Sequence, residues 1–180
     1  RYIRKMALLH GEEYLFSCVD SLLKEHDLVV GNLEGPITTK RSTSMDTRIG
    51  SPENYYFTFP TSTASLLFRH NIKIVSIGNN HINNQGAEGI VATKHFLASS
   101  SVMYFGGLQN DSPLQRTSIK GIEISFINYN QFGGLHQKEI ARMKEELIQT
   151  KMKYSNVEKK IKIITGSTLT CSGKQQDTPQ

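Results

Sequence analysis

The side chains able to do chemistry in this chain cluster where an apolar run stops, in Lys73-Ile-Val-Ser-Ile-Gly-Asn-Asn-His-Ile-Asn-Asn-Gln-Gly86. Asn79, Asn80, His81, Asn83 and Asn84 place amides and an imidazole directly behind Ile74, Val75 and Ile77. An amide oxygen and a neutral imidazole nitrogen are both competent ligands for a divalent metal, and an imidazole beside a phosphate can donate a proton or a hydrogen bond. The competing reading is an Asn-rich turn whose side chains bond their own backbone, and it applies most to Asn83 and Asn84. A second stretch, Asp27-Leu-Val-Val-Gly-Asn-Leu-Glu-Gly-Pro36, repeats the arrangement. Asn32 and Glu34 are two positions apart, so in extended backbone they point to the same side and can share a ligand. A turn-closing carboxylate that accepts backbone N–H groups is the other reading of Glu34.

Strands must bring these residues forward. Ile72, Ile74, Val75 and Ile77 have the β-branched character of a short buried strand, Gly78 gives a tight exit, and Gly86 opens a helical pattern. In an open α/β sheet, ligands sit in the crevice beyond the carboxyl ends of the strands. Upstream, Tyr14, Leu15, Cys18, Val19, Leu22 and Leu23 predict a helix from about Glu12 to Lys24, with Cys18 on its buried face as a core thiol or half of a disulfide. Leu66, Leu67 and His70 form the inner side of a short helix, His70 being a helix-end residue rather than a ligand. Ile90, Val91, Lys94 and Leu97 give a further helix with Glu88 in its first turn, where the macrodipole favours it.

The chain between Thr38 and Asn54 reads as a long surface loop, a lid or substrate-contacting arm. The alternation of Tyr55, Phe57 and Phe59 up to Pro60 predicts an edge strand or extended segment. Met103 to Phe105 is a third strand ending at Gly106-Gly107, and Arg116 to Tyr129 is a hairpin turning near Lys120-Gly121. Phe132 to His136 is a loop, Gln137 to about Tyr154 a helix, and Lys160 to Thr165 a strand, followed by a frayed tail over residues 166–180. This alternation predicts a layered α/β fold, a mixed β-sheet with crossover helices.

At 180 residues the chain fits one domain with a real core. No apolar run reaches the roughly 18 residues of a membrane span, and no signal segment opens the chain. It starts at Arg1 without an initiator Met, so an upstream segment is expected. The net charge of +5 is modest, and Lys and Arg alternate with Glu between Lys138 and Lys162, as on a solvated helix face. No nucleic-acid footprint is expected, since that would concentrate one sign beside aromatic residues. Cys18 and Cys171 lie far apart and form no zinc-type spacing.

Taken together, Gly31-Asn-Leu-Glu-Gly-Pro-Ile-Thr38 and Gly78-Asn-Asn-His-Ile-Asn-Asn-Gln-Gly86 resemble the CapA family, the capsule-synthesis or poly-γ-glutamate synthesis proteins. The Asp27-Leu-Val-Val lead-in, the segment through Phe59-Pro60, the helix after Gly86 and Phe105-Gly-Gly fall in the family's order. The resemblance covers residues 1–165 and implies a fold like that of calcineurin-like metallophosphatases. It implies Asn32, Glu34 and Asn80 as ligands of divalent metal ions (Mn, Fe, Zn or Mg), His81 as the catalytic group contacting phosphate, and Asn79 and Asn84 on the substrate. It further implies an anionic polymer or phosphate-ester substrate, other capsule-synthesis proteins as partners, and a place in the cell envelope or on its outer face.

Three departures predict a domain incomplete at both ends. The family's Gly-Asp strand end is absent ahead of Arg1, Asn84 stands where the family has Asp, and Thr170-Cys-Ser-Gly173 stands where it has His-Trp-Gly. Asn32, Glu34, Asn80 and His81 bring one formal negative charge to two divalent ions, poor compensation for lost hydration. The alternatives are a metal-dependent phosphoesterase on small esters, and a non-catalytic polymer-binding module using the Asn-rich mouth with Tyr55, Tyr56 and Phe57.

Overall fold

Ile72, Ile74 and Val75 are stiff, β-branched and almost wholly shielded from solvent, and they form the middle strand of a three-stranded parallel sheet. The computed structural model describes residues 2–42, 47–48, 51–54, 57–107, 114–128, 141, 144–145 and 147–149. In chain order its elements are helix α1 (Tyr2–His10), a 3₁₀ turn (Glu12–Phe16), helix α2 (Asp20–Lys24) and strand β1 (Val29–Asn32). Helix α3 (Thr63–Arg69), strand β2 (Ile72–Ser76), a second 3₁₀ turn (Ile82–Gln85) and helix α4 (Gly86–Ser99) follow. Strand β3 (Met103–Phe105) and the hairpin β4 (Leu114–Ile119) and β5 (Ile122–Ile127) complete the order.

The sheet runs β1-β2-β3, with Asn32 opposite Ser76 and Ser76 opposite Phe105 at the carboxyl ends. Parallel pairing demands crossovers, and α3 and α4 supply them. The layered α/β architecture is therefore present, with the antiparallel strands forming their own two-stranded sheet among the described residues. Lys120 (φ 51°) and Gly121 (φ 76°) turn the hairpin with two left-handed residues, the geometry whose twist matches the flanking strands. The hairpin leans on the parallel sheet through Phe105 and Phe126, whose ring centres are 5.4 Å apart, and through the ion pair of Lys120 with Asp27 at 2.7 Å.

The core gathers Leu33, Ile37, Ile72, Val75, Ile77, Ile82, Ile90, Leu97 and Val102 from the sheet, the 33–37 segment and α4. Each such side chain contributes about 1.5–3 kcal/mol when fully removed from water. The buried Thr93 hydroxyl accepts from the Ile37 N–H at 2.9 Å and donates to the Gly89 carbonyl at 2.7 Å, tying that segment to α4. Ser42 and Asn54 are likewise buried and joined, the Asn54 amide donating to the Ser42 carbonyl at 3.2 Å, so the 38–54 loop is pinned at its base.

Several expectations need correction. The single helix over Glu12–Lys24 is two short elements with no fully buried residue, and Cys18 is exposed and disulfide-bonded rather than a core thiol. The Ser17 hydroxyl donates to the Tyr14 carbonyl at 2.8 Å, a local bond that competes with helix continuation, and only Phe16 and Leu23 reach the core. Helix α1 lies where no element was expected. Of the edge strand or extended segment expected from Tyr55 to Phe59, Phe59 makes one parallel bridge to Ile37, while Tyr55 and Tyr56 lie outside the described residues. Between Gln137 and Tyr154 the described residues 141, 144–145 and 147–149 are helical. The loop at 132–136, the strand at 160–165, the tail at 166–180 and Cys171 lie outside the described residues. Among the described residues no helix is long and apolar enough to cross a membrane.

Candidate functional site at the strand ends

The register that sets Asn32 beside Ser76 also sets the two polar stretches side by side. Leu33 N–H donates to the Ser76 carbonyl at 2.9 Å, and Ile77 N–H to the Phe105 carbonyl at 2.9 Å, so three strand ends leave the sheet together. Asn79 is the joint between them. Its amino group donates to Asn32 Oδ1 at 3.1 Å and to the Leu33 carbonyl at 2.8 Å. Its oxygen accepts from the backbone N–H groups of His81 at 3.1 Å and Ile82 at 3.0 Å. An amide has two donors and two acceptor sites, and all four are used, so Asn79 has no capacity left for the substrate contact expected of it.

That joint delivers His81 into a partly open basin. Its Nε2 lies 4.0 Å from Glu34 Oε1 and 3.1 Å from the Asn80 amide nitrogen, while Nδ1 lies 3.3 Å from the Asn84 amide nitrogen. The Asn32 amide donates to the other oxygen of Glu34. His81 is 25% exposed and Glu34 42%, so both reach solvent without being loose on the surface. A neutral imidazole has one N–H and one lone pair. The ring can therefore accept from only one of the two amides: with the proton on Nε2, toward Glu34, Nδ1 accepts from Asn84 and the Asn80 contact is not a hydrogen bond. Asn83, by contrast, is exposed and takes no place in this cluster.

Phe57 and Asn128 also build the basin. The Phe57 ring is stacked on His81 with centres 3.8 Å apart and planes 10° apart. Its position depends on Gly35, where a Cβ would lie 2.0 Å from the Phe57 carbonyl oxygen, and on the Ser42 hydroxyl, which accepts from Phe57 N–H at 3.1 Å. Asn128, just past β5, donates to the Ser76 hydroxyl at 2.8 Å and packs where side chains at Gly78 and Gly106 would otherwise stand. Its signal was present in the sequence, an Asn closing an alternating apolar run, but the sequence does not say which strand ends are neighbours. The Lys40 and Glu88 side chains pair between the segment after Thr38 and the first turn of α4, and Lys40 holds the Glu88 carboxyl below its ordinary range.

The expected metal ligands Asn32, Glu34 and Asn80 therefore meet His81 in one place. They do not fit a pair of divalent ions. The described residues contain no group of three or more His, Cys, Asp and Glu able to hold a metal, and Glu34 and His81 are flanked by amides. Two hard cations need more carboxylate than this to offset their dehydration. What the arrangement can do unaided is hold an anionic group by amide and imidazole N–H donors, and hand over a proton from His81.

The chain matches the family described as "Bacterial capsule synthesis protein PGA_cap" over residues 1–170. It is also 20% identical over 132 residues to "Capsule biosynthesis protein CapA" of Bacillus anthracis, a match covering 72% of this chain and 31% of that relative. The chain thus spans less than a third of that protein's length. With nearly its whole length matched, and both strand-end stretches inside the match, the chain belongs to the bacterial capsule synthesis protein PGA_cap family.

Proposed function

We propose that this chain serves in the synthesis or export of an anionic cell-envelope polymer, capsule or poly-γ-glutamate. In this reading the strand-end basin binds an anionic group of the polymer or of a phosphate-ester precursor. The observation that carries the reading is the meeting of His81 and Glu34, 4.0 Å apart, at the mouth of a parallel sheet. The imidazole N–H donates a hydrogen bond to a carboxylate or phosphate oxygen, or a proton to a leaving oxygen. Asn84 orients the ring, Phe57 covers one of its faces, and Asn79 holds the two strand tips in register. Family membership supports the capsule setting and other capsule-synthesis proteins as partners. No step here is routed through a metal.

The test is complementation of a capsule-deficient bacterium with the full-length protein, comparing His81→Gln and Glu34→Gln with the parent. Surface polymer is expected to fall by at least about tenfold in His81→Gln at equal amounts of folded protein. Undiminished polymer in both variants would remove the basin from the function.

A further inference from the structure

Away from the basin, His70 closes helix α3, buried to 5% exposure and stacked on Phe16 with ring centres 4.3 Å apart. Each ring nitrogen meets a carboxylate from a different element. Nδ1 lies 2.5 Å from Asp20 Oδ1, on α2, and Nε2 lies 2.6 Å from Glu13 Oε2, in the first 3₁₀ turn. Ionised carboxylates only accept, so both contacts are hydrogen bonds only when both nitrogens carry protons. The site offers each ring nitrogen its own carboxylate acceptor.

Cations hold the two carboxylates from the other side. From α3, Arg69 binds the second carboxylate function of the pair, its Nε 2.7 Å and its guanidinium nitrogen Nη2 2.6 Å from Glu13 Oε1. On α2, Lys24 lies 2.6 Å from Asp20 Oδ2. Glu12 is occupied by the Ser62 hydroxyl at 2.9 Å, and His26 by the Leu22 carbonyl at 2.7 Å. Next to His70, the Asn71 amide donates to the carbonyls of Leu23 at 2.8 Å and His26 at 2.7 Å. The segment from Glu12 to His26 is thus fastened to the α3–β2 corner at adjacent residues, with only Phe16 and Leu23 adding apolar contact to the core.

We propose that His70 is a proton-operated latch that fastens the 12–26 segment to the α3–β2 corner when the ring is charged and releases it when the ring is neutral. Loss of one ring proton turns a lone pair toward a carboxylate oxygen about one hydrogen-bond length away. That contact is repulsive, and the carboxylate, already part-exposed at 57% for Glu13 or 29% for Asp20, has Arg69 or Lys24 to follow into solvent. Imidazole is the side chain whose charge ordinarily changes within the pH range cells use. The latch therefore couples acidity to the packing of the segment that leads into β1.

The experiment follows the His70 ring nitrogens by ¹⁵N NMR and the backbone amide protection of residues 13–24 by hydrogen exchange, over one pH series on the same chain. Ring deprotonation and loss of protection are expected to share a midpoint. Asp20→Asn provides the second arm, because a rotatable amide can offer a donor or an acceptor and so suits either state of the ring. Protection in that variant is expected to be independent of ring charge. Deprotonation with protection intact would overturn the proposal, as would an Asp20→Asn chain that opens with the parent's pH dependence.

Discussion

The Phe57 ring lies flat on the His81 imidazole, 3.8 Å between centres, although 24 positions separate the two residues in sequence. Gly35 makes this contact available by letting the backbone of Phe57 pass where a side chain would stand. Phe57→Ala removes the stack and part of the basin's apolar wall. The expected cost is about 2 kcal/mol, since Phe57 is only half-buried and a stacked pair adds roughly 0.5–1.5 kcal/mol beyond its burial. Urea denaturation gives that number. In parallel, the His81 ring protons should move downfield in the NMR spectrum as the aromatic ring current disappears, and unmoved signals would mean that the stack does not exist in solution.

How much of this was readable in advance depends on the range of the forces involved. Strand β2, helix α4, strand β3 and the hairpin declare themselves locally, through β-branched runs, a helical stripe, and glycines at Gly78, Gly106 and Gly121. His81, Glu34 and Asn80 were legible as strand-end polar residues, and the parallel register brings them together. The role of Asn79 was not legible, because its four bonds reach across to β1 as well as along its own turn. The helix expected over Glu12–Lys24 failed for a similar reason. Its apolar spacing is continuous, yet its placement is decided largely by Glu13 and Asp20 meeting a histidine 57 and 50 positions away. Such long-range polar contacts leave no periodicity. Helix α1 was missed because Ile3, Leu8 and Leu9 face solvent, so its apolar residues do not mark a buried stripe.

Asn128 and Gly78 are expected to be energetically coupled. A Cβ at Gly78 would fall 1.9 Å from Asn128 Oδ1, so Gly78→Ala must displace that amide and break its bond to the Ser76 hydroxyl. The cost of Gly78→Ala is expected to be about 1–3 kcal/mol in the parent, in the range of overpacking a tight site. In an Asn128→Ala background the same substitution should cost about 1 kcal/mol less, because the obstructing amide is already gone. A double-mutant cycle by chemical denaturation measures the difference. Strict additivity would show that Asn128 does not pack on the β2 exit.

Acid sensitivity should arise at the carboxylates around His70 and not at the Lys40–Glu88 pair. Arg69 foremost, with His70, holds the Glu13 carboxyl below the ordinary range, and Lys24 foremost, with His70, does the same for Asp20. Lys40 lowers Glu88. A carboxylate with a depressed folded-state pKa stabilises the fold above its unfolded value, about 4, and that stabilisation is lost as pH falls through the depressed folded value. The melting temperature is therefore expected to decline as pH drops below about 4, where unfolded carboxylates begin to bind protons that the folded ones refuse. Glu13→Gln combined with Asp20→Asn should flatten the acid limb. Glu88→Gln should leave it nearly as steep, since Glu88 is 80% exposed and its one partner, Lys40, is solvated, whereas Glu13 (57%) and Asp20 (29%) each also bind the buried His70 ring. Thermal melts at closely spaced pH values decide it, and an unchanged slope in the doubly substituted chain would exclude Glu13 and Asp20 as its source.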